Sequence, residues 1–404
     1  MQTLSRWCLF LVGMLSVAPL LAQSPSFQFL QKPGAYPVGV RVVEQYDRSR
    51  SFPAASATPN KTSAQTGFRP LQTLIWYPSQ AGTGKSMAVG DYAQLADTEM
   101  HFNAPDAKGN KWREQLKASF EIPMWAFRNA DPAKGRYPVL IYAPSDSSIA
   151  WENADLCEYL ASHGYIVIAS PSMGASTRDM TDDLEGIDAQ ARDISFLISY
   201  AKTLPDADMS HLAVVSWSWG GISSLFAAAR DPRIGALLEM DGSMRYFPGL
   251  VKKAGDIHPE RMSIPLLFFT SEYPNYFEDL DRYYDGPPGD LIGPNVLNAW
   301  AHGDLFTANM IGMSHGEFSS MFQRRKSAQN FAEDQIADYG RDEANQSYAW
   351  VARYSLNFLD AYMKHDAAAA AFLKRTPAEN GVPRHFMAIR FRAATDSGVK
   401  TAKP

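Results

Sequence analysis

The sequence predicts an α/β fold with a mostly parallel central sheet flanked by helices, and three observations predict it. From about residue 70 onward, short aliphatic, β-branched or aromatic runs alternate with stretches whose apolar residues recur three and four apart. The helical stretches have lengths that suit crossover connections between parallel strands. The 404 residues are 46% hydrophobic and 12% aromatic, enough for one large core.

Taken in order, the strand-like runs are Val38 to Glu44, Leu71 to Tyr77, Pro138 to Ala143, Ile166 to Ala169, Leu212 to Ser216, Ala236 to Met240, Leu266 to Thr270 and Leu305 to Met310. Helical periodicity is clearest at Asn153 to Ser162, Leu184 to Leu204, Ile222 to Arg230 and Tyr348 to Lys364, lengths that suit crossover connections. Two irregular stretches interrupt the alternation. Residues 82–135 carry helical pieces around Tyr92 to Ala96 and Trp112 to Phe120. Residues 273–303 are rich in Pro, Gly, Asp and aromatics. Both are expected to be insertions that line a substrate site, within one catalytic domain spanning 23–394 and followed by a polar tail, 395–404.

The first 22 residues read as a secretory signal. Arg6 supplies a positive start, Trp7 to Val17 is almost wholly apolar, and Leu20-Leu21-Ala22 ends on a small residue. The apolar run is shorter than the roughly 20 residues a membrane-spanning helix needs, so a periplasmic or secreted protein without a stable membrane anchor is expected. Removing the signal removes Cys8 and leaves Cys157 alone, which excludes an intramolecular disulfide; Cys157 sits in an apolar helical pattern and reads as a packed thiol. A net charge of −5 with no Lys/Arg-rich stripe excludes nucleic acid as a partner. No two histidines have metal-ligand spacing on one helix face, so no metal is expected.

The strongest local signal is Leu212-Ala213-Val214-Val215-Ser216-Trp217-Ser218-Trp219-Gly220-Gly221, an apolar strand entering small residues and then a helix. A nucleophilic serine exposed on a sharp strand-to-helix turn needs small residues two before and two after it, and Ser216 and Gly220 meet that need. Ser218 is therefore the candidate nucleophile. The N–H of Trp219, at the head of the helix, is a candidate oxyanion donor. The plainer alternative is a serine that only caps a helix.

A serine hydroxyl needs a general base. Of the eight histidines, His315 follows the strand Leu305 to Met310 within Ile311-Gly312-Met313-Ser314-His315-Gly316-Glu317-Phe318, where a loop can hang an imidazole over Ser218. His302 lies before that strand. The acid has two candidates, Asp241 after the strand Ala236 to Met240 and Glu272 after Leu266 to Thr270. Spacing alone leaves both open, because carboxylates at strand ends are also common turn formers. Trp217, Tyr273 and Trp300 are candidate walls of an aromatic pocket.

Residues from Tyr137 to about Phe318 resemble the platelet-activating-factor acetylhydrolase group of α/β-hydrolases, with dienelactone-hydrolase-like families nearby. The resemblance rests on Tyr137-Pro138-Val139-Leu140, on Leu160-Ala161-Ser162-His163-Gly164-Tyr165-Ile166-Val167, and on Met240-Asp241-Gly242-Ser243-Met244. Pro265-Leu266-Leu267-Phe268-Phe269-Thr270-Ser271-Glu272-Tyr273 and Ser314-His315-Gly316-Glu317-Phe318 complete it. It implies an α/β-hydrolase fold, a Ser218–His315–Asp241 triad and no cofactor. Dienelactone hydrolases use a cysteine where this chain has Ser218, so that likeness is one of scaffold.

One departure stands out. The group carries His-Gly after the third strand, opening the loop that gives the second oxyanion N–H, where this chain reads Ala143-Pro144-Ser145-Asp146-Ser147-Ser148. The resemblance makes the backbone of Asp146 the second donor, and its carboxylate is expected to turn away and cap a helix starting near Ile149. The expected activity is hydrolysis of small or medium carboxylic esters through an acyl-enzyme. The rival expectations are a peptidase with the same triad and a catalytically silent binding protein on the same scaffold.

Overall fold

The computed structural model describes residues 27–53, 66–102, 109–272, 295–325 and 339–395. The expected signal, Tyr273 and most of the 273–303 insertion lie outside them. Among the described residues eleven strands form one sheet: β1 (Val38–Pro53), β2 (Thr66–Pro78), β3 (Lys85–Ala88), β4 (Pro123–Arg128), β5 (Tyr137–Ala143), β6 (Ile166–Ala169), β7 (Ala207–Trp217), β8 (Ala236–Met240), β9 (Leu266–Glu272), β10 (Leu305–Ile311) and β11 (Met387–Arg392). Their order is β11-β10-β9-β8-β7-β5-β6-β2-β1-β4-β3.

Six neighbours in that order, β6, β5, β7, β8, β9 and β10, run parallel. These are the apolar runs legible in the sequence, and every residue of β5, β6 and β8 is buried. Helices cover both faces because parallel neighbours need crossovers. Ala154–Ser162 and Arg341–Met363 pack on one side, Leu184–Ala201 and Trp219–Arg230 on the other. Leu184–Ala201 is a clear instance of sequence setting structure: Ile187, Ala191, Ile194, Leu197 and Ile198 form its buried stripe. The Asp183 carboxylate caps its start by accepting from the N–H groups of Glu185 and Gly186 at 3.0 and 3.1 Å.

The chain leaves β5 for β6 on one side, and after the next crossover it returns to β7 on the other. The carboxyl ends of β5 and β7 therefore flank a topological switch point, where two loops diverge and open a crevice.

Three expectations are corrected here. The 82–135 stretch, expected as a rim insertion, adds β3 and β4 to the far edge of the sheet, β4 running parallel to β1. Part of it does approach the histidine loop, for Trp112 meets Phe322 edge-on at 5.3 Å between ring centroids. The run Leu305 to Met310 is not the last strand, because β11 pairs antiparallel with β10 and closes that edge. The helix expected at Tyr348 starts seven residues earlier, at Arg341, where Gly340 N–H donates to Glu343.

The segment after the histidine loop is held to the sheet's cover by an ion pair. The two terminal guanidinium nitrogens of Arg324, Nη1 and Nη2, donate to the two oxygens of Asp155 at 2.8 Å, with the side chains only 4% and 7% exposed. Phe27 lies against the guanidinium, 4.5 Å from its carbon to the ring centroid. Removing one partner strands the other charge in the interior. Asp155→Asn should therefore cost about 3–5 kcal/mol of stability, read as a lowered urea midpoint with an unchanged slope; an unchanged midpoint would show the pair to be dispensable.

Candidate active site

β7 ends in a strained turn. Ser218 has φ 56° and ψ −124°, a conformation that costs a non-glycine residue about 1–3 kcal/mol and persists only where its surroundings impose it. The imposition is visible on both sides. A Cβ on Gly220 would lie 2.2 Å from the Ala143 carbonyl oxygen, and one on Gly221 would lie 2.5 Å from Glu239 Oε2, so the helix approaches the sheet only because both residues are glycine. The Ser218 N–H donates to the Met240 carbonyl at 3.1 Å, and the Ser218 carbonyl accepts from the N–H of Ser243 at 2.8 Å.

The neighbouring turn carries Asp241, also at positive φ, 49°. Its side chain is fully buried and well provided with donors: Tyr246 Oη at 2.6 Å and Ser271 N–H at 3.3 Å to one oxygen, Ser271 Oγ at 2.8 Å and His315 Nδ1 at 2.6 Å to the other. Burial pushes this carboxyl up, but His315, Tyr246 and Ser271 together hold it below the usual range, so it stays ionised.

His315 Nε2 stands 2.8 Å from Ser218 Oγ. An ionised Asp241 only accepts, so Nδ1 carries the ring proton and Nε2 faces the serine as an acceptor. The loop is shaped from within, Ser314 N–H donating to Glu317 at 2.8 Å, and Trp217 Nε1 donates to the His315 carbonyl at 3.1 Å. The structure thus brings Ser218, His315 and Asp241 into one hydrogen-bonded line. Glu272 closes β9 opposite Ile311, and the carboxylate on His315 is that of Asp241.

The loop after β5 faces the elbow, since the carbonyls of Ala143 and Pro144 lie against Gly220. It is held from beneath by Glu152, fully buried, which accepts from Ser145 N–H at 2.9 Å, Ser145 Oγ at 2.8 Å and Tyr142 Oη at 2.8 Å. Burial raises that carboxyl to about 7 against the pull of these donors. Ser172 fastens the loop's flank, its Oγ donating to the Ser145 carbonyl and accepting from Ser148 N–H. Among the described residues the N–H groups of Trp219 and Asp146 have no acceptor.

Asp146 does not cap a helix at Ile149. The helix starts at Ala154, and residues 146–147 form a turn with Ser147 at φ 48°. The exposed Asp146 carboxylate instead accepts from Ser147 Oγ at 3.0 Å. Partial loss of water around it, with repulsion from Asp182, raises its carboxyl above the usual range.

The aromatic candidates divide. Trp217 lies behind the histidine, 5.4 Å between ring centroids, and is 2% exposed, so it supports His315 and presents little surface to a ligand. Trp300 is corrected: it is fully buried before the amino end of β10, its Nε1 donating to the Ile264 carbonyl at 3.0 Å, and it packs in the core away from the crevice. Cys157 is buried. Sequence reasoning missed Glu152, Tyr246, Ser271 and Glu239. The last had a signal, a carboxylate inside the otherwise apolar run Ala236 to Met240.

Among the described residues no group of three His, Cys, Asp or Glu side chains could hold a metal ion, and no helix is long and apolar enough to cross a membrane. No family model matches the sequence, and no curated protein matches it. Among solved structures the chain is similar to a ferulic acid esterase from Streptomyces cinnamoneus, with a TM-score of 0.59 at 18% identity over 91% of this chain and 99% of that one. Sheet order, flanking helices and this likeness together identify the α/β-hydrolase fold.

Proposed function

We propose that the protein is an exported serine hydrolase that cleaves carboxylic esters through an acyl-enzyme on Ser218. The observation that carries this reading is the line from Ser218 Oγ to His315 Nε2, 2.8 Å, and from His315 Nδ1 to Asp241, 2.6 Å. Ser218 Oγ attacks the ester carbonyl as His315 Nε2 takes its proton, and the tetrahedral oxygen finds the N–H groups of Trp219 and Asp146. Collapse breaks the bond to the alcohol, which leaves with the proton from His315. A water, deprotonated by the same nitrogen, then attacks the acyl-enzyme, releases the acid and restores the serine. Asp241 holds the ring in one tautomer and stabilises the imidazolium. No step draws on a cofactor.

Esters of small or medium carboxylic acids are the favoured substrates, and the likeness to an esterase across nearly the whole chain supports esters over amides. The motifs shared with the platelet-activating-factor acetylhydrolase group support the same choice, and the N-terminal signal pattern supports export to the periplasm or medium. A peptidase using the same triad is separated by presenting chromogenic esters and anilides side by side; faster anilide cleavage would displace the esterase reading.

Ser218→Ala should abolish fluorophosphonate labelling and ester turnover while leaving the thermal midpoint close to wild type, since the hydroxyl supplies chemistry and little packing. Labelling that persists in this variant would place the nucleophile elsewhere.

Asp241→Asn should lower kcat by roughly 10⁴ by admitting the wrong histidine tautomer, whereas Glu272→Gln should cost far less. If the Glu272 variant were the more damaged while folded, the acid would belong to β9.

Because the Asp146 carboxylate is exposed and, among the described residues, hydrogen-bonded to Ser147 alone, Asp146→Ala should change stability by no more than about 0.5 kcal/mol and leave kcat/KM nearly unchanged, the oxyanion donor being backbone. A gain in kcat above about tenfold, worth some 1.4 kcal/mol of barrier, in Asp146→Asn would show that the carboxylate opposes the transition state.

A further inference from the structure

Beneath the elbow lies a carboxyl group that the proposed chemistry does not use. Glu239, two residues before Asp241, is fully buried. Ser216 Oγ donates to its Oε2, and its Oε1 has no partner among the described residues. Ser216 and Glu239 are register partners across β7 and β8, one step before the turns that carry Ser218 and Asp241. The same Oε2 lies 2.5 Å from where a Cβ of Gly221 would stand and 2.8 Å from that of Gly242, so the carboxyl fills the space these two glycines leave open. Gly221 belongs to the helix behind Ser218 and Gly242 to the turn of Asp241.

We propose that Glu239 is a positioning residue, its carboxyl wedged between Gly221 and Gly242 and tied to Ser216, so that the turns of Ser218 and Asp241 keep one fixed spacing. The inference rests on the serine-hydrolase reading above. It accounts for Ser216, which stands where the elbow pattern favours glycine: the hydroxyl is the partner of the wedge.

The wedge acts as an uncharged acid. The elements round it, β7, the helix after Ser218, the turn at Gly242 and β9, present Ser216, Gly221, Gly242 and the register partner Phe268. Among the described residues no charged or titratable side chain acts on it. Burial drives its carboxyl well above the usual range and only the Ser216 hydrogen bond opposes that shift. A buried carboxylate without a cation takes up a proton in preference to remaining charged. Ionisation would also set a negative charge beneath the site where the oxyanion forms, opposing catalysis.

The test uses the full-length mature protein, with fluorophosphonate labelling rate, kcat and KM on a chromogenic ester, and the thermal midpoint from pH 4 to 9. Glu239→Ala should lower kcat and labelling rate tenfold or more at nearly constant KM, and Glu239→Gln, which keeps shape and neutrality, should restore most of that loss and hold its activity to higher pH than wild type. The sign for stability follows from linkage: the folded protein binds a proton on Glu239 that the unfolded chain releases above about pH 4.5. Wild type therefore loses stability as pH rises from there, and the midpoint advantage of Glu239→Gln should be small at pH 4 and grow toward pH 8. If Glu239→Ala fails to fold, Ser216→Ala carries the same test by removing the hydrogen bond that holds the wedge, with a threefold or greater fall in kcat at constant KM expected.

An unchanged kcat in the folded Ala variants overturns the positioning role. A Glu239→Gln variant as impaired as Glu239→Ala, or one whose midpoint difference does not vary with pH, overturns the uncharged wedge. A wild type that neither labels nor turns over any ester overturns the hydrolase reading and this role with it, whereas equal labelling of wild type and Glu239→Ala overturns the role alone.

Discussion

Two adjacent strands, β7 and β8, each end in a residue forced into the left-handed region, Ser218 at φ 56° and Asp241 at φ 49°, and the two turns are stitched to each other. The Ser218 N–H reaches the carbonyl of Met240, and the Ser218 carbonyl receives the N–H of Ser243. Neither turn can relax without breaking the other's hydrogen bonds. Each strained residue costs about 1–3 kcal/mol, so the rest of the molecule has to offset it. It does so through fully buried strands on both sides, helices on both faces and glycines where helix and sheet meet. Ser218 and Asp241, the proposed nucleophile and acid, are thereby fixed to one rigid unit, and His315 is brought to them from a separate loop.

Charge is distributed around this unit with the same economy. Asp241 is buried yet ionised, because Tyr246, Ser271 and His315 supply donors to both of its oxygens. Glu158, also buried, accepts from Tyr92 Oη at 2.7 Å and from the Trp125 N–H at 2.6 Å, and burial raises its carboxyl to about 8. Glu239 has a single donor among the described residues, and burial drives its carboxyl well above its ordinary value. The number and kind of donors, more than depth, separates a carboxylate that can orient an imidazole from carboxylic acids that serve as polar packing.

How much of this was legible depended on where the information lies along the chain. β5 and β6 are continuous apolar runs and β7 to β10 are built on apolar stretches, so their burial is largely written in their own residues, and the elbow is legible because Gly220 answers a steric demand made within a few residues. Asp241 over Glu272 was not legible from spacing, because the choice depends on which strand end meets His315 across the fold. β3 and β4 went unread because Lys85–Ala88 and Pro123–Arg128 are short edge pieces whose strand character comes from their neighbours. β11 did carry a signal, Met387, Ile389 and Phe391 alternating with Ala388, Arg390 and Arg392. The Ser-rich stretch after Ala143 resembled a helix start, yet its polar groups are spent on Glu152, Ser172 and Met180 N–H, and the backbone turns.

The three parts of the site therefore differ in how firmly they are held, and that difference suits the chemistry. Ser218 and Asp241 sit on strand ends that cannot shift independently. The loop after β5 is braced on Glu152 and Ser172, which fixes a backbone N–H without occupying it. His315 has 38% of its side chain open, and its segment is anchored by Trp217 Nε1 on its own carbonyl, by the Ser314–Glu317 contact and by Arg324 on Asp155. In the proposed chemistry the base receives a proton from one oxygen and delivers it to another, and the Asp241 hydrogen bond keeps the ring aimed at both. A nucleophile and an oxyanion pocket gain from not moving at all. The strain stored at Ser218 and Asp241 is what places the rigidity on the side of the reaction that needs it.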